Sequence, residues 1–223
     1  MTLCHEHLYF TEQPIDSKKL SNPKYSYLND EPVKAETMWW TTFNPYSHKD
    51  NKNFSPNNQF NSIINEEMKF YKSNGGNSVV EVTTFGKCLK EMKQTSMQAG
   101  INIIAGAGYY QAKSLSLSIT SMTTEQIYDS INHDILFGEE GIRCGVIGEI
   151  ASDWPIQDFE KRVLKASGQV HEELKIPVII HPGRDAKAPF EVMRLYQEAG
   201  GKADKTVMSH LESEKINKSK SMF

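Results

Sequence analysis

From residue 61 onward the sequence alternates between helical and strand patterns, and this alternation limits the fold more than any other feature. The strand patterns are short, continuous apolar runs at 77–85, 101–110, 143–151, 176–183 and 205–212. Because such strands carry apolar side chains on both faces, they predict a parallel sheet covered by helices. Two α/β architectures fit this pattern, a doubly wound open sheet and a (β/α)8 barrel. The glycine-rich turn of a dinucleotide-binding sheet does not follow the first strand.

The helical segments between these strands carry recognisable start signals. We expect the first helix to begin with a cap at Asn61 or Ser62. Thr123 stands three residues before Gln126, the spacing of a capping box at the start of the third helix. The fourth helix is predicted with a proline, Pro155, in its first turn.

Residues 9–60 are polar and irregular, because proline and asparagine interrupt them too often for long elements. The segment "ETMWWTTF" (36–43) is the strongly apolar piece of this region. We therefore predict a long loop with one short helix, packed over one end of the fold.

Composition restricts the classes of partner. The chain has 25 Lys and Arg against 28 Asp and Glu, so its charge favours neither nucleic acid nor an anionic membrane as a partner. No apolar run approaches the ~18 residues of a membrane span, and no signal-peptide pattern opens the sequence. Cys4, Cys88 and Cys144 are far apart and odd in number, which is typical of reduced thiols in a cytoplasmic protein.

Polar residues stand near the carboxyl ends of the apolar strands. In chain order these residues are His5, His7, Glu149, His181 and His210. Barrel enzymes place their chemistry at these strand ends. Residues two apart in a strand point to the same side, so His5 and His7 are expected to face one space while Glu6 and Cys4 point away.

The combination of these residues is more informative than any one of them. A single buried histidine is usually a core residue with a backbone hydrogen bond, and a buried glutamate can belong to a structural ion pair. Burying five such side chains together is costly unless hydrogen bonds or coordination compensate for it. A bound cation is the simplest compensation, because it neutralises the carboxylate and uses the lone pairs of neutral imidazoles.

Four motifs, in this order, resemble the phosphotriesterase family of the amidohydrolase superfamily: "TLCHEHL", "GVIGEI", "PVIIHPGR" and "KTVMSHL". The shorter stretches "NPYSHK", "NGG", "GAGYY" and "QEAG" are also similar to that family. The resemblance implies a (β/α)8 TIM barrel of which about six of eight strands are present. It implies a partial metal-dependent hydrolase barrel at 1–212, followed by a polar tail outside the family at 213–223.

The resemblance also implies a binuclear centre of two divalent metal ions, usually zinc. By it, His5 and His7 are ligands of the first metal, Glu149 bridges both, and His181 and His210 hold the second. A hydroxide between the metals would attack a small amide or ester substrate, either an N-acyl compound such as N-acetyltaurine or a phosphoester.

Arg184, three residues after His181, is a candidate for binding an anionic group of the substrate. A surface ion pair with a nearby Glu or Asp would account for this side chain equally well. The partner expected for the chain is a small molecule, and association with further copies of the chain is left open.

The family pattern includes an aspartate at the end of an eighth strand, and we expect this chain to lack it. After His210 the sequence continues "LESEKINKSKSMF", which is charged and rich in serine. We therefore expect a truncated barrel with no assigned general base and with unpaired edges on its first and sixth strands. Such a chain would be poorly soluble alone or would depend on a partner. The alternative function is a catalytically inactive form that binds metal weakly or pairs with a complete enzyme.

Overall fold

The fold was analysed in a computed structural model of the 223-residue chain. The structure describes residues 1–11, 25, 27–28, 31–44, 48 and 54–211. The tail predicted at 213–223 lies outside the described residues.

Six strands form one parallel sheet in which each strand pairs with its neighbours in sequence. The strands are β1 (Thr2–Glu6), β2 (Ser78–Glu81), β3 (Asn102–Ala107), β4 (Val146–Ala151), β5 (Val178–His181) and β6 (Thr206–Met208). A doubly wound sheet reverses its strand order at a switch point, and the order β1 to β6 has no such reversal. The arrangement is therefore an incomplete (β/α)8 barrel, as predicted.

Helices connect the strands on the outside of the sheet. They are α1 (Met38–Phe43), α2 (Asn58–Ser73), α3 (Leu89–Ala99), α4 (Leu117–Thr120), α5 (Thr124–Leu136), α6 (Asp158–Leu174) and α7 (Ala188–Glu198). Within residues 9–60, where one short helix is predicted, α1 lies in the apolar segment at 36–43; it buries Trp40 and leaves Trp39 half exposed. In the part of the chain that the structure describes, no helix combines the length and hydropathy needed to cross a bilayer.

Two predicted helix starts differ from the structure. The first long helix begins one turn earlier than predicted, because the side chain of Asn57 accepts the N–H of Phe60 at 2.9 Å and makes Asn57 the cap. Pro155 lies in the loop before α6, and the helix begins only after Gln157, whose N–H is bound by the carboxylate of Glu160 at 2.9 Å. In both places the residue that takes part in the local cap hydrogen bond marks the start of the helix.

The capping box at the start of α5 is confirmed. The hydroxyl of Thr123 accepts the N–H of Gln126 at 3.3 Å, and the side chain of Gln126 accepts the N–H of Thr123 at 2.9 Å. The helix then buries Ile127, Ile131 and Ile135 against the sheet, one turn apart along a single face.

Alternate residues of the strands enter two different apolar clusters. The larger cluster lies between sheet and helices and takes residues such as Ile147 and Ile180. A small inner cluster on the opposite face contains Val82, Val146 and Ile179. On β5 this alternation continues to His181, whereas on β4 an irregularity in register between Ile147 and Ile150 interrupts it at Glu149.

Glycine is required where β3, β4 and β5 approach one another. A Cβ on Gly106 would lie 1.8 Å from the carbonyl oxygen of Gly148, and a Cβ on Gly148 would lie 2.2 Å from that of Ile179. Gly148 also has a φ of +122°, a conformation that side chains other than glycine rarely adopt. These contacts determine the position of the next residue, Glu149.

Candidate metal centre

The carboxylate of Glu149 lies at the centre of four imidazole rings. It is on β4 and only 1% exposed. The ring nitrogens nearest to its oxygens are His181 Nδ1 at 2.6 Å, His210 Nε2 at 3.1 Å, His5 Nε2 at 3.4 Å and His7 Nε2 at 3.6 Å. The structure thus brings together all five residues that the sequence predicts as metal ligands.

The five residues form two overlapping sets that share Glu149. One set contains His5 and His7, the other contains His181 and His210, and the potential ligand atoms of each set lie within 4.8 Å of one another. Imidazole nitrogens with a shared carboxylate are a donor set that zinc and similar divalent ions accept. Each set therefore offers donors that could hold a divalent cation.

The strand ends and the loops just beyond them place these side chains. His5 is within β1 and His181 is the last residue of β5, whereas His7 lies just past the end of β1. His210 lies two residues beyond β6 and has a φ of +60°. The strand predicted at 205–212 is therefore shorter than expected, and the left-handed conformation of His210 turns its ring towards Glu149.

The protonation of Glu149 reflects two opposing effects. Burial raises the pKa of this carboxyl group, but the four imidazoles lower it by more, so the net direction is well below the usual range. Among the described residues, the ionic contacts of Glu149 are all with histidine. A carboxylate thus holds a negative charge in the protein interior, surrounded by groups that can also bind cations.

Hydroxyl groups contact the second ring nitrogen, Nδ1, of both His5 and His7. Nδ1 of His7 lies 2.9 Å from Oγ1 of Thr83, and Nδ1 of His5 lies 3.2 Å from Oγ of Ser209. In both rings Nε2 is thereby directed at Glu149. Sequence reasoning missed these two hydroxyl residues, because serine and threonine are common after strands and give no distinct signal.

Sequence reasoning also missed Glu81, a second fully buried carboxyl group at the end of β2. It accepts the N–H of Leu8 at 3.0 Å and the N–H and O–H of Thr83 at 3.3 Å and 2.6 Å. Burial raises its pKa to about 7. A signal was present, because "SVVEVTT" contains a single charged residue in an otherwise apolar and β-branched run.

Arg184 does not join the cluster of imidazoles. It is exposed in the loop between β5 and α7. Tyr110 contacts one of the four imidazoles, with its ring edge-on to His181 at a centroid distance of 5.6 Å and tilted against Phe85 at 5.1 Å. The wall beside the second set of ligands is therefore aromatic, and the role of Arg184 in binding a substrate stays a prediction.

A model of the phosphotriesterase family matches residues 1–222. Among curated relatives, the N-acetyltaurine hydrolase of Danio rerio is 43% identical over 215 residues, which cover 95% of this chain and 60% of the relative. The N-acetyltaurine hydrolase of Homo sapiens is 39% identical over 222 residues, covering 97% and 62%. The chain thus spans about three fifths of the length of these relatives.

Solved structures share the fold. A resiniferatoxin-binding protein from Rhodobacter sphaeroides superposes with a TM-score of 0.88 at 25% identity, covering 97% of this chain and 60% of the other. The phosphotriesterase homology protein from Escherichia coli superposes with a TM-score of 0.70 at 21% identity, covering 94% and 61%. With the family model matching almost every residue, the chain belongs to the phosphotriesterase family.

Proposed function

We propose that this chain carries the metal-binding part of a hydrolase that uses two divalent metal ions, zinc in the first instance, to cleave a small amide or ester. The observation that carries the proposal is the ring of four imidazoles around one buried carboxylate. These residues lie in or just beyond four separate strands, so their convergence is a property of the fold and not of one local motif.

The donor set fits such a centre. His5 and His7 would hold one ion together with Glu149, and His181 and His210 would hold the other with the same carboxylate. When bound, a pair of divalent ions supplies a Lewis acid and a hydroxide nucleophile at neutral pH. Glu149 would neutralise part of the added charge, because the pKa of its carboxyl group lies well below the usual range.

The substrate class is proposed from the curated relatives, which are named N-acetyltaurine hydrolases. Such a substrate joins an amide to a sulfonate, so it needs one polar reacting end and one anion-binding group. The exposed guanidinium of Arg184 lies three residues after His181 and is the proposed contact for the anion. Tyr110 would exclude water from one side of the reacting amide.

Metal stoichiometry tests the centre directly. The chain should retain two Zn²⁺ or Co²⁺ per molecule after incubation and dialysis, measured by elemental analysis. His5→Ala and His181→Ala should each lose about one ion, since each removes a ligand from a different set. His133→Ala is the matched control, because His133 is an exposed histidine on α5 away from the cluster.

Turnover is measured separately as taurine released from N-acetyltaurine by the same metal-loaded chain. Taurine release that is lost in both ligand variants and kept in the control supports the proposed hydrolase. Two bound metals without turnover would favour the alternative of a non-catalytic metal-binding chain. A wild-type chain that retains no metal would contradict the proposal.

A further inference from the structure

A chain of three side chains leads from the candidate metal centre into the protein interior. His7 contacts Thr83 through Nδ1, and Thr83 contacts the carboxyl group of Glu81. We infer that Glu81 and Thr83 are positioning residues that fix the ring orientation of His7, so that its Nε2 faces the space beside Glu149 where a cation would be held. The inference rests on the proposed function for its consequence, metal binding, but its structural part stands on these contacts alone.

The hydrogen-bond directions in this chain follow from the number of protons. The hydroxyl of Thr83 has one proton and gives it to Oε1 of Glu81 at 2.6 Å. With a cation at Nε2, Nδ1 of His7 would carry the ring proton and donate it to this oxygen, which can then only accept. In the metal-free chain the ionised carboxylate of Glu149, 3.6 Å from Nε2, favours the opposite tautomer, so the contact with Thr83 supports the tautomer that binds a cation.

Glu81 also holds the backbone beside His7. The same oxygen that binds the hydroxyl of Thr83 accepts the N–H of Leu8, the residue after His7, at 3.0 Å. His7 is thus held at its ring by Thr83 and at its following peptide by Glu81. Both holding residues are at most 1% exposed, whereas the side chain of His7 is 34% exposed and would otherwise turn towards water.

The main variant is Thr83→Val, which keeps the shape of the side chain and removes the hydroxyl. Loss of a side chain that orients a histidine ligand typically weakens metal binding by about 10-fold to 100-fold. We therefore expect this loss of Zn²⁺ affinity at the site that contains His5 and His7, measured by competition with a chromophoric chelator. Thr83→Ser retains the hydroxyl and should bind within about three-fold of the wild type.

Thr95→Val is the matched control for the removal of a buried hydroxyl. Thr95 is 1% exposed, its hydroxyl lies 2.9 Å from that of Tyr9, and it lies on α3, away from the centre. It should lower the melting temperature and leave Zn²⁺ affinity unchanged. A merely structural role for Thr83 predicts the same pattern for Thr83→Val.

The ring of His7 provides a readout that needs no metal. In the metal-free chain, Thr83→Val should shift the ring ¹⁵N signals of His7 towards a protonated Nε2, because the contact with Thr83 is lost and the contact with Glu149 remains. Thr83→Ser should keep the ring signals of the wild type. Glu81→Gln should also shift them, because its amide can donate to Thr83 and reverse the order.

The outcomes separate the two proposals. Unchanged ring shifts and unchanged Zn²⁺ affinity in Thr83→Val, in a chain that binds two metals, would overturn the inference and leave the proposed function standing. A wild-type chain that binds no metal would overturn the proposed function, while the ring shifts would still show whether Thr83 holds the ring of His7.

Discussion

Replacing Glu160 by alanine should destabilise the loops around the candidate centre. Glu160 is 1% exposed near the start of α6, and its oxygens accept three backbone N–H groups. These belong to Ala112 at 3.1 Å, Asp153 at 2.9 Å and Gln157 at 2.9 Å. The carboxylate thereby joins the loops that follow β3 and β4, and β4 carries Glu149.

The magnitude follows from the three lost hydrogen bonds. A hydrogen bond contributes about 1 kcal/mol net, and about 1.5–3 kcal/mol when one partner is charged. The N–H groups are only partly buried, so water will replace some of the lost contacts, and we expect a loss of about 3 kcal/mol. For a domain of this size that loss lowers the melting temperature by about 6–12 °C.

Chemical denaturation followed by circular dichroism measures this loss as a change in the free energy of unfolding. Glu160→Gln should lose about 1 kcal/mol, because one oxygen remains to accept the N–H groups of Asp153 and Gln157. Glu172→Ala, on the same helix but with a half-exposed side chain, is the matched control and should change little. A loss below about 1 kcal/mol in Glu160→Ala, or one no larger than in the control, would refute the reasoning.

Three further predictions concern other buried groups. Burial raises the pKa of Glu81 to about 7, so the folded state binds this proton more strongly than the unfolded chain does. The free energy of unfolding should therefore fall as the pH rises from about 4.5 to 7, by up to about 1.4 kcal/mol per pH unit. Denaturation at several pH values should show this slope flattened in Glu81→Gln. Cys4 is exposed, whereas burial raises the pKa of both Cys88 and Cys144 to about 11, so one thiol of three should react quickly with a thiol reagent at pH 8. Gly148→Ala should cost at least about 3 kcal/mol from backbone strain and steric overlap, measured by thermal unfolding.

Each of these predictions has a contradicting result. An equal pH slope in Glu81→Gln and the wild type would show that another group carries the dependence. Three thiols of equal reactivity in the folded chain would contradict the burial of Cys88 and Cys144. An unchanged melting temperature for Gly148→Ala, with Gly141→Ala as a control whose Cβ meets no neighbour, would contradict the close approach of β4 and β5.

The element order and the ligand cluster could be predicted from the sequence for one physical reason. Strands of a buried parallel sheet are apolar throughout, so a histidine or glutamate within them stands out, as Glu149 does in "GVIGEI". The carboxyl ends of parallel strands lie at one edge, so residues distant in sequence such as His5 and His181 converge there.

The helix starts and the contacts of Glu81 could not be predicted, because the sequence pattern does not say which of several suitable residues makes each contact. Asn57 and Asn61 can each cap a helix, and only the folded chain selects Asn57. Glu81 stood out in its strand as clearly as Glu149, but its contact with Thr83 arises from the path of the chain after β2, which periodicity does not describe.

The contact between Ser209 and His5 joins residues 204 positions apart at a distance of 3.2 Å. Closing so long an intervening segment costs conformational entropy, so we expect this contact to form after the local ones. The candidate centre would then be completed only when the outer strands β1 and β6 come into place. A cation bound there would stabilise the folded chain against unfolding, by about 2.7 kcal/mol when its free concentration is one hundred times the dissociation constant. The concentration of available metal would then affect both the resistance of the chain to proteolysis and its ability to react.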